Sequence, residues 1–158
     1  MKVGERMDIT ELGRQIIAVT DTLYRVSASL LRSEHDREDA VQSAIEIAFR
    51  RAGSLRDADK LRPWMIRILT NECFAIMRRA KREVPAEVLP ASAAPEELSD
   101  LRHAVDTLEP GLRLPVLLHY MEGFSTKEIA QAMHLPQGTV LSRMNKARKL
   151  LRNMLEEE

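Results

Sequence analysis

Between two short amphipathic segments stands Leu135-Pro136-Gln137-Gly138, and this break constrains the fold more than any other feature of the chain. Pro136 disfavours helical geometry in the residue ahead of it, which stops the first segment at His134-Leu135. The same proline is tolerated at or before the first turn of a new helix, so Gln137 and Gly138 open a second one. Upstream, Ser125 or Thr126 can cap the first helix, with Glu128 near the position of a capping-box carboxylate. Ile129, Ala130 and Met133 give that helix a short apolar side. Residues 123–152 therefore read as a helix-turn-helix.

The second helix of this pair divides into two faces. Val140, Met144, Ala147, Leu151 and Met154 recur at helical spacing and form one buried stripe. Ser142, Asn145, Lys146, Lys149 and Arg152 point away from it. No acidic residue occurs from 135 to 155, whereas Arg143, Lys146, Arg148, Lys149 and Arg152 are all basic. One apolar and one cationic face after a short turn suit a DNA major groove. The competing reading is a solvated basic face on an ordinary helical hairpin.

The 158 residues carry zero formal net charge, but unevenly: acids gather around 34–46, bases around 78–82 and 143–152. Basic islands within a neutral total argue for local nucleic-acid contacts rather than a general polycation. No run shows the strict alternation of a half-buried strand, so the expected class is all-α. Cys73 is the only cysteine, which excludes a disulfide framework and a thiolate metal set. His35, His103, His119 and His134 are scattered without metal-ligand spacing, and no nucleophile–base pair is evident, so neither a metal, a cofactor nor an enzyme is expected. No apolar run approaches the ~20 residues of a membrane span, and the N-terminus lacks a signal-peptide pattern. A cytoplasmic protein is the expectation.

In chain order, residues 1–11 are polar and expected to be loose. Ile16, Val19, Leu23, Val26 and Leu30 predict one helix, or two short ones, from Leu12 to near Ser33. Asp36 is read as the cap of a helix through Arg51, with Val41, Ala44, Ile45 and Ala48 inward. Residues 53–60 are expected to be a polar loop. A helix from about 59–61 to Arg82 buries Leu61, Met65, Ile68, Leu69 and Ile76, with Trp64 read as core. Arg67, Thr70, Asn71, Phe74 and Arg78 share its other side. Its basic end complements the helix dipole, or equally binds phosphates and unstacked bases. Cys73 on the interior side reads as a small buried hydrophobe.

Residues 84–95, rich in proline and alanine and without periodicity, read as a flexible linker between two small helical domains, 1–83 and 96–158. Residues 96–108 predict the next helix, followed by a Glu109-Pro110-Gly111 turn. A further helix is expected over 112–121, with Pro115 in its first turn. The C-terminal domain then ends in the helix-turn-helix.

Several stretches together resemble the extracytoplasmic function (ECF) sigma factors of RNA polymerase. Asp36-Arg37-Glu38-Asp39-Ala40-Val41-Gln42 is similar to that family's polymerase-binding motif, and Arg62-Pro63-Trp64-Met65-Ile66-Arg67-Ile68-Leu69-Thr70-Asn71 to its promoter-melting helix. Leu108-Glu109-Pro110 with Leu114-Pro115-Val116 resembles the start of its second DNA-binding lobe. Gly138-Thr139-Val140-Leu141-Ser142-Arg143 with Ala147-Arg148 resembles its recognition helix. The order of the motifs and the intervening linker match as well, over about 20–155.

The resemblance implies a promoter-specificity subunit. Asp36, Asp39, Gln42 and Glu46 would dock on core polymerase, chiefly on the clamp helices of β′, with β as a further partner. Residues 53–60 with Thr70 and Asn71 would hold a base flipped from the −10 element, the amide of Asn71 offsetting part of the lost stacking, and Arg67 would be a further −10 contact. Arg78, Arg79, Lys81 and Arg82 would grip nearby phosphates. Ser142, Asn145 and Lys146 would read −35 bases, with Leu141 at the rim of that face, while Thr139, Arg143, Arg148 and Lys149 would fix the backbone. The family's usual regulator, an anti-sigma factor that is often membrane-anchored, becomes an expected partner. Ser43, Leu141 and Ala75 depart from the pattern, standing where the family carries a carboxylate, a base and a polar residue. The competing class is a stand-alone helix-turn-helix repressor or activator, but 12–82 offers no Gly-rich or polar segment to form an effector cavity.

Overall fold

The computed structural model describes residues 7–83 and 99–156. Every regular element among them is helical, and they belong to two compact units. The linker expected at 84–95, and the start of the helix expected at 96, lie outside the described residues.

The first unit packs three helices against one another: α1 (Ile9–Leu30), α2 (Glu34–Arg50) and α3 (Leu61–Glu83). Helix α1 is one continuous helix that begins three residues before Leu12, the expected start, with Met7 buried ahead of it. Its seam is Leu12, Ile16, Leu23, Val26 and Leu30, and Val19 is only half-buried. Burying each such side chain contributes about 1.5–3 kcal/mol relative to leaving it in water. Helix α2 presents Ala40, Ala44 and Ala48, each 0 % exposed, with Val41 beside them. Small residues at every fourth position allow close approach of the neighbouring helices.

Asp36 does not cap α2. Ser33 does, its side chain accepting from the Asp36 N–H at 3.3 Å, which adds Glu34 and Asp36 to the first turn and its dipole. Arg37 reinforces the reversal by donating from Nε to the Leu31 carbonyl at 2.8 Å. The segment expected as a loop at 53–60 contains two single-turn 3-10 helices, Ala52–Ser54 and Ala58–Lys60, with Leu55 buried between them.

Helix α3 contacts both α1 and α2, so its covered sector is wider than a single stripe. Leu61, Met65, Ile68 and Leu69 are buried as expected, and so are Ile66, Thr70 and Cys73; Ile76 and Trp64 are half-buried. Burial pushes the Cys73 thiol up to about 12, because ionisation would place a charge among apolar neighbours.

In the second unit α4 (Ser99–Thr107) and α5 (Pro110–Tyr120) both pack on α7 (Gln137–Glu156), while α6 (Thr126–Met133) leads into α7. Leu108, Leu112, Val116 and Ala147 form one core cluster, and Leu150, Leu151 and Met154 pack against it. Helix α5 starts at Pro110, inside the expected turn, because proline suits the first helical position. Pro115 therefore lies in the second turn rather than the first, where it removes one i→i−4 bond. Arg113 Nη2 satisfies the end of α4, donating to the carbonyls of Asp106 at 3.1 Å and Leu108 at 2.7 Å.

Candidate nucleic-acid interface

The turn between α5 and α6 fixes where the helix-turn-helix begins. Gly123 adopts φ 71°, a conformation that costs a residue with a Cβ, and Phe124 behind it is buried. The Phe124 N–H donates to the Leu118 carbonyl at 2.9 Å. The Phe124 carbonyl lies 2.8 Å from His119 Nδ1, and since a carbonyl only accepts, Nδ1 carries the proton. The expected capping box is reciprocal: the Glu128 N–H donates to Ser125 Oγ at 3.1 Å, and the Ser125 N–H to Glu128 Oε1 at 3.0 Å.

Helix α6 ends where Pro136 predicts. His134 takes φ 57°, and the Leu135 N–H returns to the Ala130 carbonyl at 3.0 Å. Gln137 Nε2 donates to Thr126 Oγ1 at 2.7 Å, which ties the first residue of α7 to the first residue of α6. This bond sets the start of α7 against the start of α6 on the two sides of the turn.

On α7, Val140, Met144 and Ala147 are buried, and Leu151 and Met154 half-buried, as the stripe predicts. Leu141, Ser142, Asn145, Lys146, Arg148 and Lys149 are exposed, and Thr139 and Arg143 half-buried. Arg143 folds back toward α5: a Cβ on Gly111 would meet its Nη1 at 3.2 Å. Ser142 Oγ donates to the Gly138 carbonyl at 3.0 Å, leaving the hydroxyl oxygen's lone pairs to face outward. Arg148 donates through Nη2 to the Asn145 amide oxygen and through Nη1 to the Tyr120 hydroxyl at 2.7 Å. Tyr120, the last residue of α5 and 56 % exposed, escaped the sequence reading. Its partner lies 28 residues away, so the only local signal was an aromatic at a helix end.

In the first unit Asp39, Gln42 and Glu46 are exposed on successive turns of α2, and Asp36 is half-buried by its place in the capped first turn. The Asp39 carboxylate lies 3.3 Å from His35 Nε2. Arg78, Arg79, Lys81 and Arg82 are exposed over the last turns of α3, and Asn71 is exposed about two to three turns earlier. Thr70 is not on that face. It is 5 % exposed, and its hydroxyl donates to the Arg67 carbonyl at 3.2 Å. Arg67 itself is half-buried. The second neighbour of α3 takes up the sector in which the sequence had grouped these residues with Asn71. No group of three or more metal-ligating side chains occurs among the described residues. No helix there is long and apolar enough to cross a membrane.

Comparison with known proteins assigns this architecture. The family model "Sigma-70 region 2" matches residues 17–83, and "Sigma-70, region 4" matches residues 98–151. The ECF RNA polymerase sigma factor SigM of Mycobacterium tuberculosis is 30 % identical over 139 residues, covering 84 % of this chain and 71 % of that protein. RNA polymerase sigma factor SigV of Bacillus subtilis is 26 % identical over 152 residues, covering 90 % and 92 %. Among solved structures, the sigma factor RpoE, in complex with the anti-sigma factor NepR from Bartonella quintana, superposes with a TM-score of 0.78. It shares 27 % identity, with 94 % of this chain and 98 % of that one covered. With SigM matched at that identity and coverage, and both sigma-70 regions present in order, the chain belongs to the ECF sigma factors of the sigma-70 family.

Proposed function

We propose that this chain is an alternative sigma factor that binds core RNA polymerase, directs promoter-specific initiation from the cytoplasm, and does no covalent chemistry of its own. The observation that carries the reading is the order of the two sigma-70 regions, the second of which includes a helix whose exposed residues up to 155 are all cationic or neutral. A neutral chain with such a face concentrates its attraction for phosphate where the groove-reading side chains stand.

In this reading the units divide the work. Asp39, Gln42 and Glu46, with Asp36 at the start of the same helix, dock on the β′ clamp, with β completing the core contact. The two 3-10 turns of 52–60 and the exposed Asn71 receive an unstacked −10 base. Thr70 and Arg67 support that pocket from within the helix, because the threonine hydroxyl is already committed. Arg78, Arg79, Lys81 and Arg82 hold the adjacent phosphates. On α7, Ser142, Asn145 and Lys146, flanked by Leu141, face −35 bases, and Thr139, Arg143, Arg148 and Lys149 face the backbone. An anti-sigma factor, often a membrane-anchored protein, keeps the factor inactive; the complex of the RpoE neighbour with NepR supports such a partner.

The test is reconstitution with core polymerase and transcription from a library randomised at −35 and −10. A defined element pair is expected among the transcripts. Asp39→Lys should weaken core binding about tenfold or more, since it reverses a charge at a contact between oppositely charged surfaces. Asn71→Ala should leave core binding intact and reduce open-complex formation. Duplex binding without any affinity for polymerase would overturn the reading in favour of a stand-alone repressor or activator.

A further inference from the structure

Leu141 is out of character with its surroundings. It is 44 % exposed on α7, where the other exposed side chains from 137 to 152 are polar or charged. The residues three or four positions from it, its neighbours on the helix surface, are Gln137, Gly138 and Asn145 on the outside and Met144 in the core, and none carries a charge. The first exposed cation of α7 is Lys146, followed by Arg148, Lys149 and Arg152, whereas Arg143 is half-buried and folds back toward α5. Helix α7 therefore opens with an uncharged end and carries its exposed cations on later turns. A recognition helix addresses base edges with its N-terminal residues, while cations grip phosphates. Leu141, in the second turn, belongs to the end that meets bases. A helical side chain covers the turn N-terminal to its own Cα. For Leu141 that turn holds Gly138, where a Cβ would meet no atom within 4 Å, so the space beside the leucine is open.

What a leucine can recognise in the major groove is narrow. It has neither donor nor acceptor, so the hydrogen-bonding groups of the four bases offer it nothing. The 5-methyl of thymine is the one apolar group in the groove's code. With α7 read as the groove helix, on which this rests, we propose that Leu141 is a specificity-determining residue: it selects thymine at one base pair of the −35 element by packing against that methyl. Asn145 and Ser142, exposed beside it, are left to the polar edges of the neighbouring bases.

The test uses the full chain assembled with core polymerase on the promoter it prefers from a library randomised at −35. Each thymine of that element, on either strand, is replaced singly by deoxyuridine, which removes the methyl and keeps every hydrogen-bonding group. One replacement should lower the transcript yield of the unaltered protein by up to about fourfold, the worth of one methyl taken out of water. The same replacement should leave the yield of Leu141→Ala unchanged, and that of Leu141→Gln, a polar variant of similar size, likewise. With cytosine at that position, 5-methylcytosine should raise the yield of the unaltered protein and of neither variant. A thymine-to-deoxyuridine ratio that is the same in all three proteins at every position would overturn the proposal, even if the variants transcribe less at all promoters, since a leucine with a merely structural role gives that result. Absence of promoter-directed transcription by the unaltered protein would instead sink the sigma-factor reading, and this proposal with it.

Discussion

Two glycines flank the first helix of the helix-turn-helix, and one methyl group added to each should act in opposite directions. At Gly123 the backbone has φ 71°, and a Cβ would meet no atom within 4 Å. No clash is involved, so the cost of Gly123→Ala is conformational. The left-handed region costs an L-residue about 1–2 kcal/mol, and the more restricted unfolded chain returns about 0.4–1 kcal/mol. The net expectation is a loss of about 1 kcal/mol. At Gly138 a Cβ is equally free of neighbours, but the residue lies in the first turn of α7 without a positive φ. Alanine there retains the unfolded-state gain without strain, for a net stabilisation of about 0.5 kcal/mol.

Far-UV circular dichroism during urea or thermal unfolding measures both effects on the full chain. For a unit of this size 1 kcal/mol corresponds to roughly 4–8 °C, so the two variants should differ by several degrees in opposite directions from the parent. Trp64, the only tryptophan, lies in α3 of the other unit, and its fluorescence transition serves as the internal control. Shifts of the same sign at the two glycines would refute the reasoning, because space is equal at both sites and only the backbone differs.

Other expectations follow from groups already described. Ser125→Ala should destabilise the second unit by about 1 kcal/mol, Glu128→Ala by less, and the double variant by less than their sum, because each residue satisfies the other's backbone N–H. Additive losses in a double-mutant cycle would mean that the two bonds do not form together. For Cys73 the unfolded thiol ionises near 9.0, whereas the folded one waits until about 12. The folded state therefore binds the proton more tightly. That contribution to stability is complete below pH 9 and is lost as pH rises toward 12, at up to about 1.4 kcal/mol per pH unit. Comparison with Cys73→Ala isolates this slope from the other groups that titrate there. Thiol-directed reagents at pH 8 should label the native chain far more slowly than the urea-unfolded one.

The local features were the legible ones. The capping box at Ser125 and Glu128, the stop at His134 and the α7 stripe of Val140, Met144 and Ala147 depend on residues within one or two turns of each other, so spacing alone determines them. What escaped depends on residues distant in sequence. Asp36 and Ser33 are both competent caps, and the Arg37 contact with the Leu31 carbonyl at the end of α1 accompanies the earlier start. Thr70 reads as polar surface until α3 is seen to contact two helices at once. Tyr120 gained its meaning only when α5 and α7 brought its hydroxyl to Arg148.

The cation-only face of α7 carries a consequence for how the second unit responds to its solvent. From 135 to 155 the chain has five positive side chains and no acidic residue, and the first carboxylate is Glu156 at the last position of α7. At 0.01 M ionic strength, where the Debye length is about 30 Å, these charges repel across the whole face, and near 1 M, at about 3 Å, they scarcely sense one another. Added salt should therefore stabilise the free unit. The same salt removes the counterion release that drives binding to phosphates, so affinity for duplex DNA should fall over the range in which stability rises. On the proposed reading of α7 as the groove helix, the charge that would hold it to DNA is a strain on the unit while it is alone, and a duplex would relieve that strain by neutralising it.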